Sequence, residues 1–146
     1  MQVFADRTET IEKPHEVSYG NREKMALHVD DEEEWRDIVE RSLTSLGYKV
    51  VQAANFQDAE FSAKNQRFDL YVIDDTFPMK PEEAGDREAG LKLYKLLNDL
   101  HGDSSKYVLL SGDGYVEDAC ERNGIPFLYK SHFAKKFESF IKALDK

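Results

Sequence analysis

The sequence predicts an α/β protein built on a doubly wound parallel sheet, and three observations carry that expectation. Short apolar runs alternate with helical patterns from Met25 onward. Residues 25–29, 70–73 and 107–110 are almost wholly apolar, as strands covered on both faces must be. Each of four runs is then followed by a polar group with chemical capacity: Asp30 and Asp31, Asp74, Ser111 with Gly112, and Lys130. In an open parallel sheet, ligands bind just beyond the carboxyl ends of the strands. Four strands would therefore deliver these groups to one crevice.

The elements follow in order. After the first strand, Trp35, Ile38, Val39, Leu43 and Leu46 fall on one helical face, and Gly47 stops that helix. Residues 49–52 read as a more polar strand near an edge. Asn55 reads as the N-cap of a second helix. Leu93, Leu96, Leu97 and Leu100 make the stripe of a third, and residues 115–122 a short, weakly patterned fourth. Residues 126–129 form an edge strand, where a proline at the start is tolerated. Phe133, Phe137, Phe140, Ile141 and Leu144 mark the last helix, with Ser131 as its N-cap. Residues 1–24 fit none of this and read as a flexible N-terminal extension; 25–146 form the domain.

The 146 residues suffice for one domain with a real core. A net charge of −9 argues against direct nucleic-acid binding, which needs a basic surface. Cys120 is the only cysteine, which excludes an internal disulfide and suits a reducing cytoplasm. No apolar stretch would span a bilayer, and no secretory leader is evident.

The chemistry suggested by the strand ends is phosphoryl transfer to an aspartate with a divalent metal. Carboxylates crowded at about 4 Å repel by roughly 4 kcal/mol per pair at an effective dielectric of 20, so they call for a cation. Hard oxygen donors favour Mg²⁺. A carboxylate such as Asp74 or Asp75 that attacks phosphorus gives an aspartyl phosphate. A serine and glycine after a strand are compatible with a simple turn, and a lone lysine with a solvated side chain. His28, inside an apolar strand, reads as a packing histidine. Trp35 belongs at the rim of the crevice or on the core face of its helix.

These segments, taken together, resemble the receiver domain of two-component response regulators (CheY-like). The resemblance rests on HVDDEEEW (28–35), LGYKVVQAANFQDAE (46–60), FDLYVIDDTFP (68–78), VLLSG (108–112) and FLYK (127–130). It implies a flavodoxin-like sheet of five strands in the order 2-1-3-4-5 with five helices. Pro78, four residues after Asp74, marks Asp74 rather than Asp75 as the phosphoacceptor. The resemblance further implies Asp31 and Asp74 as direct Mg²⁺ ligands, Asp30 acting through water, and the Thr76 backbone carbonyl completing the set. Ser111 and Lys130 would engage the phosphoryl group, and Ser111 with Phe127 would form the switch. Phe127 is equally readable as a core or edge-strand phenylalanine. The implied function is a non-enzymatic receiver in a phosphorelay, either standing alone or forming part of a longer regulator. Its partners would be a sensor histidine kinase or histidine phosphotransfer protein and a downstream protein target, with homodimerisation as a further option.

Three departures from the family pattern stand out. Asp75 occupies a usually apolar position; it is expected either to face solvent or to add negative charge near the phosphate. Ser131 replaces the proline that usually follows the lysine, so a trans peptide or a different loop is expected. Residues 79–89 lengthen the loop over the crevice as a lid, a partner-specificity element or an inert surface loop. These departures keep open a phosphate-independent pseudo-receiver. A phosphatase of the haloacid dehalogenase type is disfavoured, because Thr76 stands where that class needs a second acid.

Overall fold

The computed structural model describes residues 23–102 and 105–145. The arm expected at 1–24 lies outside the described residues except at its end, where Lys24 already belongs to the first strand. The chain runs β1 (Lys24–Val29), α1 (Glu33–Ser45), β2 (Tyr48–Ala53), α2 (Phe56–Asn65), β3 (Leu70–Asp74), β4 (Phe77–Pro78), β5 (Gly85–Asp86), α3 (Ala89–His101), β6 (Lys106–Ser111), α4 (Glu117–Asn123), β7 (Phe127–Tyr129) and α5 (Phe133–Leu144). Five strands form one parallel sheet in the order β2-β1-β3-β6-β7. With the small β4-β5 hairpin set aside, this is the expected 2-1-3-4-5. The polar β2 and the short β7 are the edges, as their sequences suggest.

Period-two alternation divides the core between two faces. Leu27, Val29, Tyr71, Ile73 and Leu109 point to one side and pack with Ala59, Ala63, Leu93, Leu97 and Cys120 from α2, α3 and α4. Ala26, Leu70, Val72, Val108 and Leu110 point to the other and pack with Val39, Leu43, Phe133, Phe137 and Ile141 from α1 and α5. Helices on both faces explain why the central strands carry almost no polar residues. His28 is the exception. It is fully buried, its Nδ1 lies 2.8 Å from Gln52 Oε1, and burial pushes its imidazole down to about 3. It is a neutral packing residue at neutral pH, as the sequence suggests.

The helix ends follow local chemistry with one correction. Asn55 Oδ1 accepts the Asp58 amide at 2.8 Å and caps α2. Gly47, after α1, takes φ +94°, which favours glycine. Ser131, however, does not cap α5. It sits in a single 3₁₀ turn, Lys130–His132, and α5 starts after His132 without a side-chain cap. The tighter turn carries the chain from β7 straight into the helix and leaves no extended position for a capping residue. The peptide bonds of the described residues, including Lys130–Ser131, are all trans. Of the third-helix stripe, Leu93 and Leu97 are buried while Leu100 is exposed. Among the described residues no helix is long and apolar enough to cross a membrane.

Candidate functional site

The sheet register brings the polar strand ends into one row. Val29 lies beside both Ala53 and Ile73, Asp74 beside Leu110, and Ser111 beside Tyr129. The residues that follow are thereby gathered at the carboxyl edge, where β1 and β3 flank the switch point. They line a cleft of about 430 Å³ with Asp31, Glu32, Asp74, Asp75, Thr76, Arg87, Gly112, Asp113 and Lys130 on its walls. A slightly larger hollow outside α1, lined by Asp37, Glu40, Arg41, Thr44 and Ser45, has no comparable convergence of groups.

Lys130 is the hub. Its Nζ lies 2.9 Å from Asp30 Oδ2 and 3.1 Å from Asp74 Oδ1, and 4.9 Å from the centre of the Trp35 ring. Trp35 thus serves both expected places: it shields the lysine and packs edge-on against Phe133 in the core. Asp30 is fully buried and spends its other oxygen on the Glu32 amide at 2.9 Å. Asp31 is exposed. Carboxylate oxygens of Asp30, Asp31 and Asp74 all lie within 4.8 Å of one another. One ammonium does not balance three acids. Burial pushes the Asp74 carboxyl up to about 8, with Asp30 adding to the push and Lys130 opposing it. An all-oxygen donor set with excess negative charge fits a divalent cation of the Mg²⁺ kind.

Asp75 does not face solvent. It is buried, and the Ser111 hydroxyl, itself fully buried, donates to Asp75 Oδ2 at 2.5 Å. Ser111 Oγ also accepts the Gly114 amide at 2.8 Å. The backbone explains the turn of Asp75 inward. Its amide donates to Leu110 O at 3.0 Å and closes the Asp74–Leu110 pair, and the same register places Asp75 beside Ser111, so the two side chains fall on one face of the sheet. Gly112 has open space where a Cβ would stand. Phe127 is half-buried against the α2-α3-α4 side of the core, edge-on to Tyr129 at 5.1 Å.

The long loop is built around a short hairpin. Phe77 is fully buried, and β4 pairs with β5 in a hairpin beside the cleft. From its far end Arg87 reaches the loop after β6: Nη2 lies 2.6 Å from Asp113 Oδ2, and the guanidinium sits 3.8 Å from the centre of the Tyr115 ring. The sequence reads this segment as acidic, and nothing in it singles out Arg87. Gly90, at the start of α3, lets that helix touch the strand end; a Cβ there would lie 2.4 Å from Asp74 O and 2.9 Å from Asp75 Cα.

No protein-family model matches the chain. Solved structures do. The response regulator TrrA of Thermotoga maritima, in complex with Mg²⁺-BeF, is 22% identical with a TM-score of 0.69, over 83% of this chain and 98% of that one. A CheY-like response regulator receiver domain from Methylobacillus flagellatus is 25% identical with a TM-score of 0.65, over 84% and 99%. The chemotaxis response regulator CheY4 of Vibrio cholerae is 23% identical with a TM-score of 0.64, over 85% and 98%. The likeness covers most of this chain and nearly the whole of each of those chains.

Proposed function

From the premise that the chain has the fold of response-regulator receivers, we propose that it accepts a phosphoryl group on Asp74 in a Mg²⁺-dependent reaction and signals through a protein-binding surface. The observation that carries this reading is the meeting of Asp30, Asp31 and Asp74 within 4.8 Å, with Lys130 bonded between two of them. Asp31 and Asp74 would hold Mg²⁺ directly, Asp30 through water, with the Thr76 carbonyl beside them. The division suits the bonding: both Asp30 oxygens have partners inside the protein, whereas Asp31 is exposed. When bound, the metal neutralises charge on the carboxylates and on the incoming phosphoryl oxygens.

An Asp74 oxygen forms the new bond to phosphorus as the bond to the donor's leaving group breaks, and that group departs with the electron pair. Lys130 holds Asp74 before transfer and pairs with a phosphoryl oxygen afterwards. The open space at Gly112 admits the phosphoryl group. Ser111 donates to it once its hydroxyl leaves Asp75, and Phe127 follows. The donor is a sensor histidine kinase or a histidine phosphotransfer protein. The output is a protein target, or a second copy of the chain, that reads the face of α4, β7 and α5. The chain acts on itself and turns over no separate substrate. The net charge of −9 speaks against a nucleic-acid output. The second reading, a phosphate-independent module, is favoured by one contact, the bond that already occupies Ser111.

Titration calorimetry with beryllofluoride and Mg²⁺ tests the proposal. Heat of beryllofluoride binding is expected only in the presence of Mg²⁺, and is expected to vanish in Asp74→Asn. Binding that survives this substitution would contradict Asp74 as the acceptor.

A further inference from the structure

Ser111 has one hydroxyl proton, and that proton is committed. It is donated to Asp75 Oδ2 at 2.5 Å, while the Gly114 amide occupies the oxygen at 2.8 Å. Asp75 and Ser111 are both buried, so water does not readily replace either partner. Gly114 is fixed in turn: it takes φ +76°, and the Tyr129 hydroxyl packs so close that a Cβ there would lie 2.6 Å from it. The Tyr129 hydroxyl also lies 2.5 Å from Glu117 Oε1. The loop after β6 is thus anchored from the oxygen of Ser111 outward to α4 and β7.

We propose that Asp75 is a positioning residue that restrains the switch through Ser111. Its carboxyl holds the hydroxyl away from Asp74, so Ser111 reaches a phosphoryl oxygen only by leaving a buried acid without that hydrogen bond. The cost falls on the phosphorylated arrangement alone, because the unphosphorylated one keeps the bond. Asp75 therefore biases the chain toward its resting state and weakens its hold on a phosphoryl group. A second effect of the same side chain, its charge near Asp74, acts in the same direction. The two differ in one respect: only the first requires the Ser111 hydroxyl. The inference rests on the phosphoryl-accepting function proposed above.

The test is a double-mutant cycle on beryllofluoride affinity in saturating Mg²⁺. Asp75→Leu keeps the branched shape and removes both acceptor oxygens. It is expected to tighten binding roughly tenfold in the parent chain. In the Ser111→Ala background the gain is expected to shrink to the part that charge alone supplies. Asp75→Asn, which keeps the shape and a weaker acceptor, should give a smaller gain of the same sign, and it stands in if the leucine variant does not fold. The Gly114 amide resonance supplies a readout that a merely structural role would not move. It is expected to shift on binding of beryllofluoride in the parent chain, and to lie already displaced in Asp75→Leu. An equal gain with and without Ser111 would reduce the effect to charge and overturn the proposal, as would an unchanged affinity in both Asp75 variants. No binding by the parent chain or any Asp75 variant would instead overturn the phosphoryl-accepting function itself.

Discussion

Replacing Asp74 by Asn is expected to stabilise the metal-free protein at pH 7 while abolishing phosphoryl acceptance. The folded-state pKa of Asp74 is raised, to about 8 from an ordinary 3.8, chiefly by burial and then by Asp30. A raised carboxyl binds its proton more tightly in the folded state, so its favourable contribution is present at low pH and is lost as pH rises from 3.8 through 8. At pH 7 the loss amounts to at most about 4 kcal/mol, from roughly three pH units at 1.36 kcal/mol each. His28 slopes the other way. Its pKa is depressed to about 3, so it costs stability only as pH falls below 6.5. The difference between parent and Asp74→Asn cancels His28. In chelator, urea unfolding of the two chains should converge near pH 4 and diverge by several kcal/mol toward pH 8, the variant being the more stable. Mg²⁺ should close much of the gap by stabilising only the parent's acidic site. A constant difference across this range would contradict the buried, uncompensated acid.

Gly90→Ala is expected to cost about 2 kcal/mol and to weaken the metal site. Two effects oppose one another. Alanine improves helix propensity by about 1 kcal/mol at an interior position, and less in the first turn. Against this, the new methyl group would meet the backbone at 2.4 and 2.9 Å. Backbone does not swing aside as a side-chain tip would, so overpacking of about 3 kcal/mol prevails. Relief requires α3 to retreat from the end of β3, which also strains the Gly90 amide bond to Asp75 O, 3.1 Å long here. Denaturant unfolding and Mg²⁺ titration should therefore change together. A neutral or stabilised Gly90→Ala would show that the helix start is not packed against the acceptor strand.

What the sequence made legible was whatever depends on local pattern. Alternating apolar runs gave the five sheet strands and their two-faced core, since a strand buried on both sides has nowhere to put polar residues. Asn55 announced its cap, and Lys49 with Gln52 announced an edge. The row Asp30, Asp31, Asp74, Ser111, Lys130 was readable because each follows an apolar run, and strand ends meet on one side of a parallel sheet. Contacts between elements were not readable. The inward turn of Asp75 depends on its position beside Ser111 across β3 and β6 and on the bond between their side chains, which no residue type signals. The reach of Arg87 to Asp113 depends on a hairpin of two two-residue strands in a segment whose composition suggests only an acidic surface. Ser131 misled because a capping residue is recognised by type, while a 3₁₀ turn entering α5 leaves that cap unused.

The central claim is that Asp74 takes the phosphoryl group, and mass spectrometry after treatment with acetyl phosphate and Mg²⁺ tests it most directly. Intact mass should show a single phosphoryl addition that requires Mg²⁺. Borohydride reduction followed by peptide mapping should place it at Asp74, and labelling should persist in Asp75→Asn but not in Asp74→Asn. Label that maps to Asp75, or that forms equally in chelator, would contradict the account.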